Sequence, residues 1–237
     1  MNRQKDETIM KMDVRKKTKI VATISDKRCD VPFLAELHRA GMDVVRLNTA
    51  HQSPEDALKV IRNVRAVSDH IAIMIDTKGP EVRVTKVAGE IVLAKGDLVT
   101  FRGDPDKESS REGIYVSYRG FVEEVPVESR ILIDDGYIEL VVRRKEGDAL
   151  ICEALNDGRI EGRKSVNVPE VTFLLPALSE KDRAFIRFAA EQDCDFIAHS
   201  FVRSKEDVQA VQAILDEQKS PIKIIAKIEN QDGVDNI

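Results

Sequence analysis

Two changes of hydrophobic period constrain this chain more than anything else in it. From Thr18, short apolar runs alternate with amphipathic helical patterns. Between Val84 and Val168 the helical period disappears, and after Pro169 it returns. Lys19–Thr23 (KIVAT), Asp43–Leu47 (DVVRL) and Ile71–Ile75 (IAIMI) read as strands. Asp30 caps a helix that carries Pro32 in its first turn and runs to about Ala40, where Gly41 stops it. Ser53 caps the next, with Pro54 first and Leu58, Ile61, Val64 and Val67 at helical spacing. Apolar strands between amphipathic helices indicate a parallel sheet covered by helices.

In the middle stretch Glu90–Leu93, Leu98–Arg102, Ile114–Val116, Arg130–Ile133, Tyr137–Val142 and Ala149–Leu155 are strand-like. Turn signals such as Asp135-Gly136 and Asn156-Asp157-Gly158 separate them. With no convincing amphipathic helix, this predicts a small all-β domain, sandwich or barrel. Beyond it, Ser179 starts a helix to about Gln192, Asp195–Ser200 is a strand, Ser204–Lys219 a helix and Ile222–Ile228 a strand. The expected organisation is an N-terminal tail at 1–17, a first β/α part at 18–83, an inserted β-domain at 84–168 and a second β/α part at 169–237.

Composition narrows the function class. Lys and Arg number 37 against 42 Asp and Glu, a formal charge of -5 that argues against a general nucleic-acid coat. The three cysteines, Cys29, Cys152 and Cys194, are widely spaced with no C-x-x-C, which fits free thiols in a reducing cytoplasm. The polar N-terminus lacks the apolar core of a secretory signal, and no apolar run approaches the roughly 20 residues of a membrane span. A cytoplasmic protein without nucleic-acid or membrane partners is expected.

The unusual polar residues gather at strand ends. Arg46 and Asn48 close the second strand; Asp76, Thr77 and Lys78 follow the third; Ser200 ends the fourth; Lys227 and Glu229 end the fifth. In a β/α barrel those ends converge on the mouth. Ordinary ion pairs rimming a barrel are the plain alternative. Glu229 suits a hard cation such as Mg²⁺, and Arg46, Arg83 and Lys227 could neutralise a phosphoryl group. Neither the P-loop nor the G-x-G-x-x-G pattern is present. His51 follows the second strand and could line the mouth. Gly79-Pro80 would make a stiff exit toward the β-domain, suited to a hinge.

These residues resemble the pyruvate kinase family. The matching segments are Thr18–Val21, Gly41–Asn48, Asp76–Arg83 (DTKGPEVR), Ile131–Gly136 (ILIDDG), Leu175–Asp182 (LPALSEKD), Ser200–Arg203 (SFVR) and Lys227–Gly233 (KIENQDG). The resemblance implies an α/β fold: a partial TIM barrel with an all-β domain inserted after its third strand as a mobile lid. It implies phosphoryl transfer from phosphoenolpyruvate to ADP, giving pyruvate and ATP in glycolysis, with Mg²⁺ (or Mn²⁺) and K⁺ as cofactors.

By matched position, Arg46 would contact the transferring phosphate and Lys227 would stabilise the phosphoryl group and the enolate. Arg83 and Ser200 would line the site, and His51 would sit near the nucleotide. Glu229 would bind Mg²⁺, while Asn48, Asp76 and the Thr77 carbonyl would hold K⁺. Glu81 matches the K⁺-requiring variants. Pro80 and Pro169 would flank the lid as hinge points, and a full-length parent would be a homotetramer.

Some positions depart from the family pattern. Asn-Phe-Ser-His-Gly reads Asn48-Thr49-Ala50-His51-Gln52, so Ala50 replaces a serine whose hydroxyl normally contacts K⁺. Ile-Gly-Pro reads Ile24-Ser25-Asp26, and His199 stands where a small residue is common. The β-domain takes about 85 residues. The remaining roughly 150 are fewer than the about 250 of a typical TIM barrel. The family's Gly-Asp-Leu-Gly segment, which carries a second Mg²⁺ carboxylate, does not follow Lys227–Gly233 here. The expectation is therefore a phosphotransferase portion inactive by itself. The alternatives are a metal-dependent lyase of the phosphoenolpyruvate/pyruvate barrel group, or a non-catalytic fragment containing the lid.

Overall fold

The computed structural model describes residues 17–50, 52–169 and 171–237. His51 and nearly all of the tail expected at 1–17 lie outside the described residues.

The chain opens with β1 (Ile20–Thr23), α1 (Val31–Arg39), β2 (Met42–Asn48), α2 (Pro54–Val67) and β3 (Ala72–Asp76). Local chemistry sets these boundaries. The Asp30 carboxylate accepts from the Phe33 amide at 3.0 Å to start α1. Ser53 and Asp56 form a reciprocal capping box at the start of α2, with Pro54 in its first turn. Each such cap contributes about 1 kcal/mol.

The middle of the chain contributes β4 (Val82–Arg83), β5 (Ile91–Leu93), β6 (Leu98–Gly103), β7 (Ile114–Val116), the single-turn α3 (Phe121–Glu124), β8 (Arg130–Ile133), β9 (Ile138–Glu146), β10 (Ala149–Ala154), β11 (Gly158–Ile160) and β12 (Ser165–Asn167). It is followed by α4 (Glu180–Glu191), β13 (Phe196–His199), α5 (Lys205–Glu217), β14 (Lys223–Ala226) and α6 (Gln231–Asp235).

The strands fall into separate sheets. One is five-stranded, in the order β1-β2-β3-β13-β14, with every pair parallel. β13 pairs directly with β3 in the register Ala198↔Asp76, so the sheet continues as if the intervening residues were absent. Among the described residues, strands from that stretch pair only with one another. They make a seven-stranded sheet, β4-β12-β8-β9-β10-β6-β7, and a two-stranded one, β11-β5.

Each part has its own core. Leu47, Val60, Val64, Ile73, Ile75, Phe185, Ile197 and Val211 belong to one, packed between the parallel sheet and its helices. Phe101, Phe121, Ile131, Ile138, Leu140 and Cys152 belong to the other.

Three details differ from the expected pattern. The boundary drawn after Arg83 falls before Val82, because Val82 and Arg83 pair with Val166 and Ser165 in the seven-stranded sheet. α3 interrupts the otherwise all-β stretch; four residues are too few to display a helical period. Past Pro169, Val171, Phe173 and Leu175 still pack on the second core. Ala177 and Leu178 pack on the first, so the return passage lies between Leu175 and Ala177.

All three cysteines are buried and free, and burial pushes the Cys152 and Cys194 thiols up to about 12. Among the described residues no helix is long and apolar enough to cross a membrane.

Candidate active site

Parallel pairing aligns the C-terminal ends of the strands, and register decides which residues meet there. Asn48 on β2 is the cross-strand partner of Asp76 on β3, and Ala198 on β13 is its partner on the other side. Arg46 stands opposite Thr23 on β1. Lys227 directly follows β14.

A cavity of about 270 Å³ opens at these ends, lined by Arg46, Asn48, Ala50, Asp76, Thr77, Ser200, Lys227 and Glu229 from the parallel-sheet side. Lys78, Glu81, Arg83, Asp134, Asp135, Lys164 and Ser165 close it from the loop after β3 and from the seven-stranded sheet.

Asp76 is the centre of the network and is 2% exposed. Arg46 donates to its Oδ2 from Nε and lies within 2.5 Å of the same oxygen through Nη2. Arg46 Nη1 donates to Thr23 Oγ1 at 2.8 Å. Lys227 Nζ reaches Asp76 Oδ1 at 3.1 Å and Oδ2 at 3.3 Å, Ser200 Oγ at 2.7 Å and Glu229 Oε1 at 3.5 Å. Burying a carboxylate this deep is costly without a partner, and two cations pair with it here.

Ser200 Oγ lies 3.0 Å from Asp76 Oδ1 and 2.6 Å from the Thr77 carbonyl oxygen. Glu229 Oε2 accepts from the Phe201 amide at 3.0 Å. That amide is aimed by a backbone turn in which Phe201 holds a left-handed φ of 54°.

The loop after β3 is tightly fixed. Gly79 has φ +69°, and a Cβ there would lie 2.3 Å from the Ser200 carbonyl oxygen, so only glycine fits. The Lys78 amide donates to Asp182 Oδ1 at 3.0 Å, and Asp182 also forms the capping box of α4 with Ser179. One buried carboxylate thus ties a helix start to the loop that follows Asp76.

Glu81 is nearly buried, and burial raises its carboxyl above the usual glutamate value although Arg83 Nε donates to it at 2.7 Å. Arg83 also donates to the Arg163 carbonyl at 2.6 Å.

Arg46, Asn48, Asp76, Thr77, Arg83, Ser200, Lys227 and Glu229, all singled out from sequence, therefore line one cavity. His51 lies outside the described residues. Pro80 lines a neighbouring cleft of about 240 Å³, which also takes in Glu81, Asp135, Phe201 and Glu229; Pro169 is the second residue after β12.

Other lining residues were not expected. Lys164 carries no local signal; it is brought in by the short strand β12, which it directly precedes, and pairs with Asp134 at 2.9 Å. Asp134 and Asp135 belong to a three-residue left-handed turn with Gly136, and the Asp-Gly pair announced only the turn.

The oxygen donors fit a hard cation. Ser200 Oγ lies within hydrogen-bond distance of both Asp76 Oδ1 and the Thr77 carbonyl, and Asn48 stands opposite Asp76 in the sheet. Asn48 Oδ1 accepts from the Ala50 amide at 3.0 Å. Among the described residues no group of three or more His, Cys, Asp and Glu is placed to hold a metal ion.

A family model described as the pyruvate kinase barrel domain matches residues 15–237. The chain belongs to the pyruvate kinase family. It is 52% identical over 225 residues to a pyruvate kinase of Borreliella burgdorferi, covering 94% of this chain and 47% of the relative. It is 41% identical over 229 residues to a pyruvate kinase of Staphylococcus epidermidis and over 232 residues to one of Staphylococcus aureus. In both, 94% of this chain and 39% of the relative are covered. The chain thus spans about half the length, or less, of these pyruvate kinases.

Proposed function

We propose that the cavity is the phosphoenolpyruvate end of a pyruvate kinase active site in a glycolytic, cytoplasmic enzyme. The whole protein would move the phosphoryl group from phosphoenolpyruvate to ADP. The bond from phosphorus to the enol oxygen breaks, a bond to the terminal ADP phosphate oxygen forms, and the enolate takes a proton to give pyruvate. A homotetramer is the assembly the resemblance implies for that protein.

The observation that carries this reading is the convergence of Arg46 and Lys227, from strands on opposite sides of β3, on the single buried carboxylate of Asp76. Two cations held this close are preorganised for a dianionic phosphoryl group, and their geometry costs nothing at the moment of reaction. Arg83, at the joint between the two sheets, adds a third cation to the cavity. The Thr77 carbonyl, Ser200, Asp76 and Asn48 offer oxygens to K⁺, and Glu229 offers a carboxylate to Mg²⁺ or Mn²⁺. The divalent ion, when bound, neutralises phosphoryl charge. The seven-stranded unit reads as a lid; Pro80 precedes its first crossing at Val82, and Pro169 lies six residues before the return passage that follows Leu175.

The outer strands β1 and β14 of the parallel sheet are largely exposed. For the 237-residue chain alone we expect no turnover, since β1 and β14 each pair on one side only and leave the parallel sheet unclosed. The test is coupled ATP and pyruvate formation from phosphoenolpyruvate and ADP. A longer protein carrying this segment should turn over, and its Lys227→Met variant should lose about 10²–10³-fold in kcat. Unchanged kcat in that variant would sink the assignment of Lys227.

A further inference from the structure

We propose that His199 is a positioning residue that holds Thr77 from behind the sheet, so that the Thr77 carbonyl stays turned toward Ser200 and Asp76. The inference rests on reading those oxygens as a monovalent-cation site.

His199 ends β13, is wholly buried, and does not line the cavity. Thr77 is its neighbour across the β3–β13 pair and is fixed at several points. Its amide donates to the Ala198 carbonyl at 3.0 Å. Its hydroxyl lies 3.0 Å from His199 Nδ1 and accepts from the Ser200 amide at 3.4 Å. Its carbonyl oxygen is 2.6 Å from Ser200 Oγ. One face of the Thr77 residue therefore meets the imidazole while its carbonyl meets the candidate cation donors. A small side chain at position 199 could not span that gap.

The hydrogen-bond pattern selects the tautomer. His199 Nε2 is buried with no partner. A proton there would be a buried donor with no acceptor, which costs more than a bare lone pair. The proton therefore sits on Nδ1 and is donated to Thr77 Oγ1. An Nδ1–H donor fixed in the core supports the residue whose carbonyl faces the candidate cation donors.

The test uses the 237-residue chain and its melting temperature in KCl, against tetramethylammonium chloride at equal ionic strength. His199→Asn keeps an N–H near the Nδ1 position, whereas His199→Leu fills the volume without a donor. If His199→Leu does not fold, His199→Ala takes its place.

The wild-type chain should show a potassium-specific rise, and His199→Asn should keep its midpoint. His199→Leu should need about tenfold more potassium or higher. A Leu variant with the wild-type midpoint overturns the proposal, as does an Asn variant as weak as Leu.

If the wild-type chain shows no potassium-specific rise, the cation reading fails by itself. Amide exchange then decides the positioning role. Faster exchange over residues 76–79 and 199–201 in Leu but not in Asn supports it. Wild-type exchange in Leu, or equal acceleration in both, overturns it.

Discussion

Arg46 grips the Asp76 carboxylate through two nitrogens on one oxygen, Nε and Nη2, each 2.5 Å from Oδ2. Lys227 reaches both oxygens of the same carboxylate from β14. Asp76 is thereby the buried counterion that keeps these two cations together at the cavity wall. A phosphoryl group entering the cavity would share those cations with Asp76.

Asp76→Asn removes the charge while keeping the shape, leaving Arg46 and Lys227 repelling each other. Losing one partner of a fully buried pair costs about 3–5 kcal/mol. Arg46 and Lys227 are about a third exposed, so solvent screening lowers the expectation to about 1–3 kcal/mol. Urea denaturation of the 237-residue chain checks it, and an unchanged midpoint would contradict the counterion role.

Ala50 lines the cavity without offering a side-chain oxygen. In a full-length protein carrying this segment, Ala50→Ser should lower the K⁺ concentration needed for half-maximal activation. Titration of activity with KCl at constant ionic strength is the measurement. An unaltered K⁺ dependence would remove the case for this position.

Gly79 and Gly136 both hold a positive φ, but they differ in what surrounds them. A Cβ on Gly79 would strike the Ser200 carbonyl, whereas one on Gly136 would meet nothing within 4 Å. Gly136→Ala should cost about 1 kcal/mol from backbone strain alone. Gly79→Ala should cost about 2 kcal/mol or more, because backbone atoms must move. Paired chemical denaturation decides it, and equal losses would mean that the clash is relieved without cost.

Burial raises the Glu81 carboxyl above its usual value of 4.5. The folded chain keeps this proton to higher pH than the unfolded chain does, so stability falls as pH rises from about 4.5 through the folded value. Glu81→Gln cannot titrate. Its melting temperature relative to wild type should climb across that window and level off above it. A constant offset at all pH values would contradict the raised carboxyl.

Much of this protein could be read directly from its residues. Ser53, Ser179 and Pro54 announced helix starts because capping is a matter of three or four neighbouring residues. The run IAIMID announced a buried strand with a carboxylate at its end, since apolar strands and the residues that follow them are contiguous in sequence. β4, β11 and β12 escaped notice because two or three residues carry no period and, unlike the equally short β5 and β7, they hold no run of apolar or aromatic residues; pairing alone defines them. Lys164 entered the cavity by way of such a strand.

By itself the sequence determined the alternation of strands and helices, the break in that rhythm, the family, and the set of polar groups at the strand ends. All of these depend on local spacing or on motifs. Only the tertiary structure decided that Asp76 would be shared by Arg46 and Lys227, that Asp182 would tie α4 to Lys78, and that His199 would face Thr77 rather than the cavity. Those pairings join residues from 30 to 151 positions apart. They are set by sheet register and by which face of a strand a side chain occupies, and neither is fixed until the strands have paired.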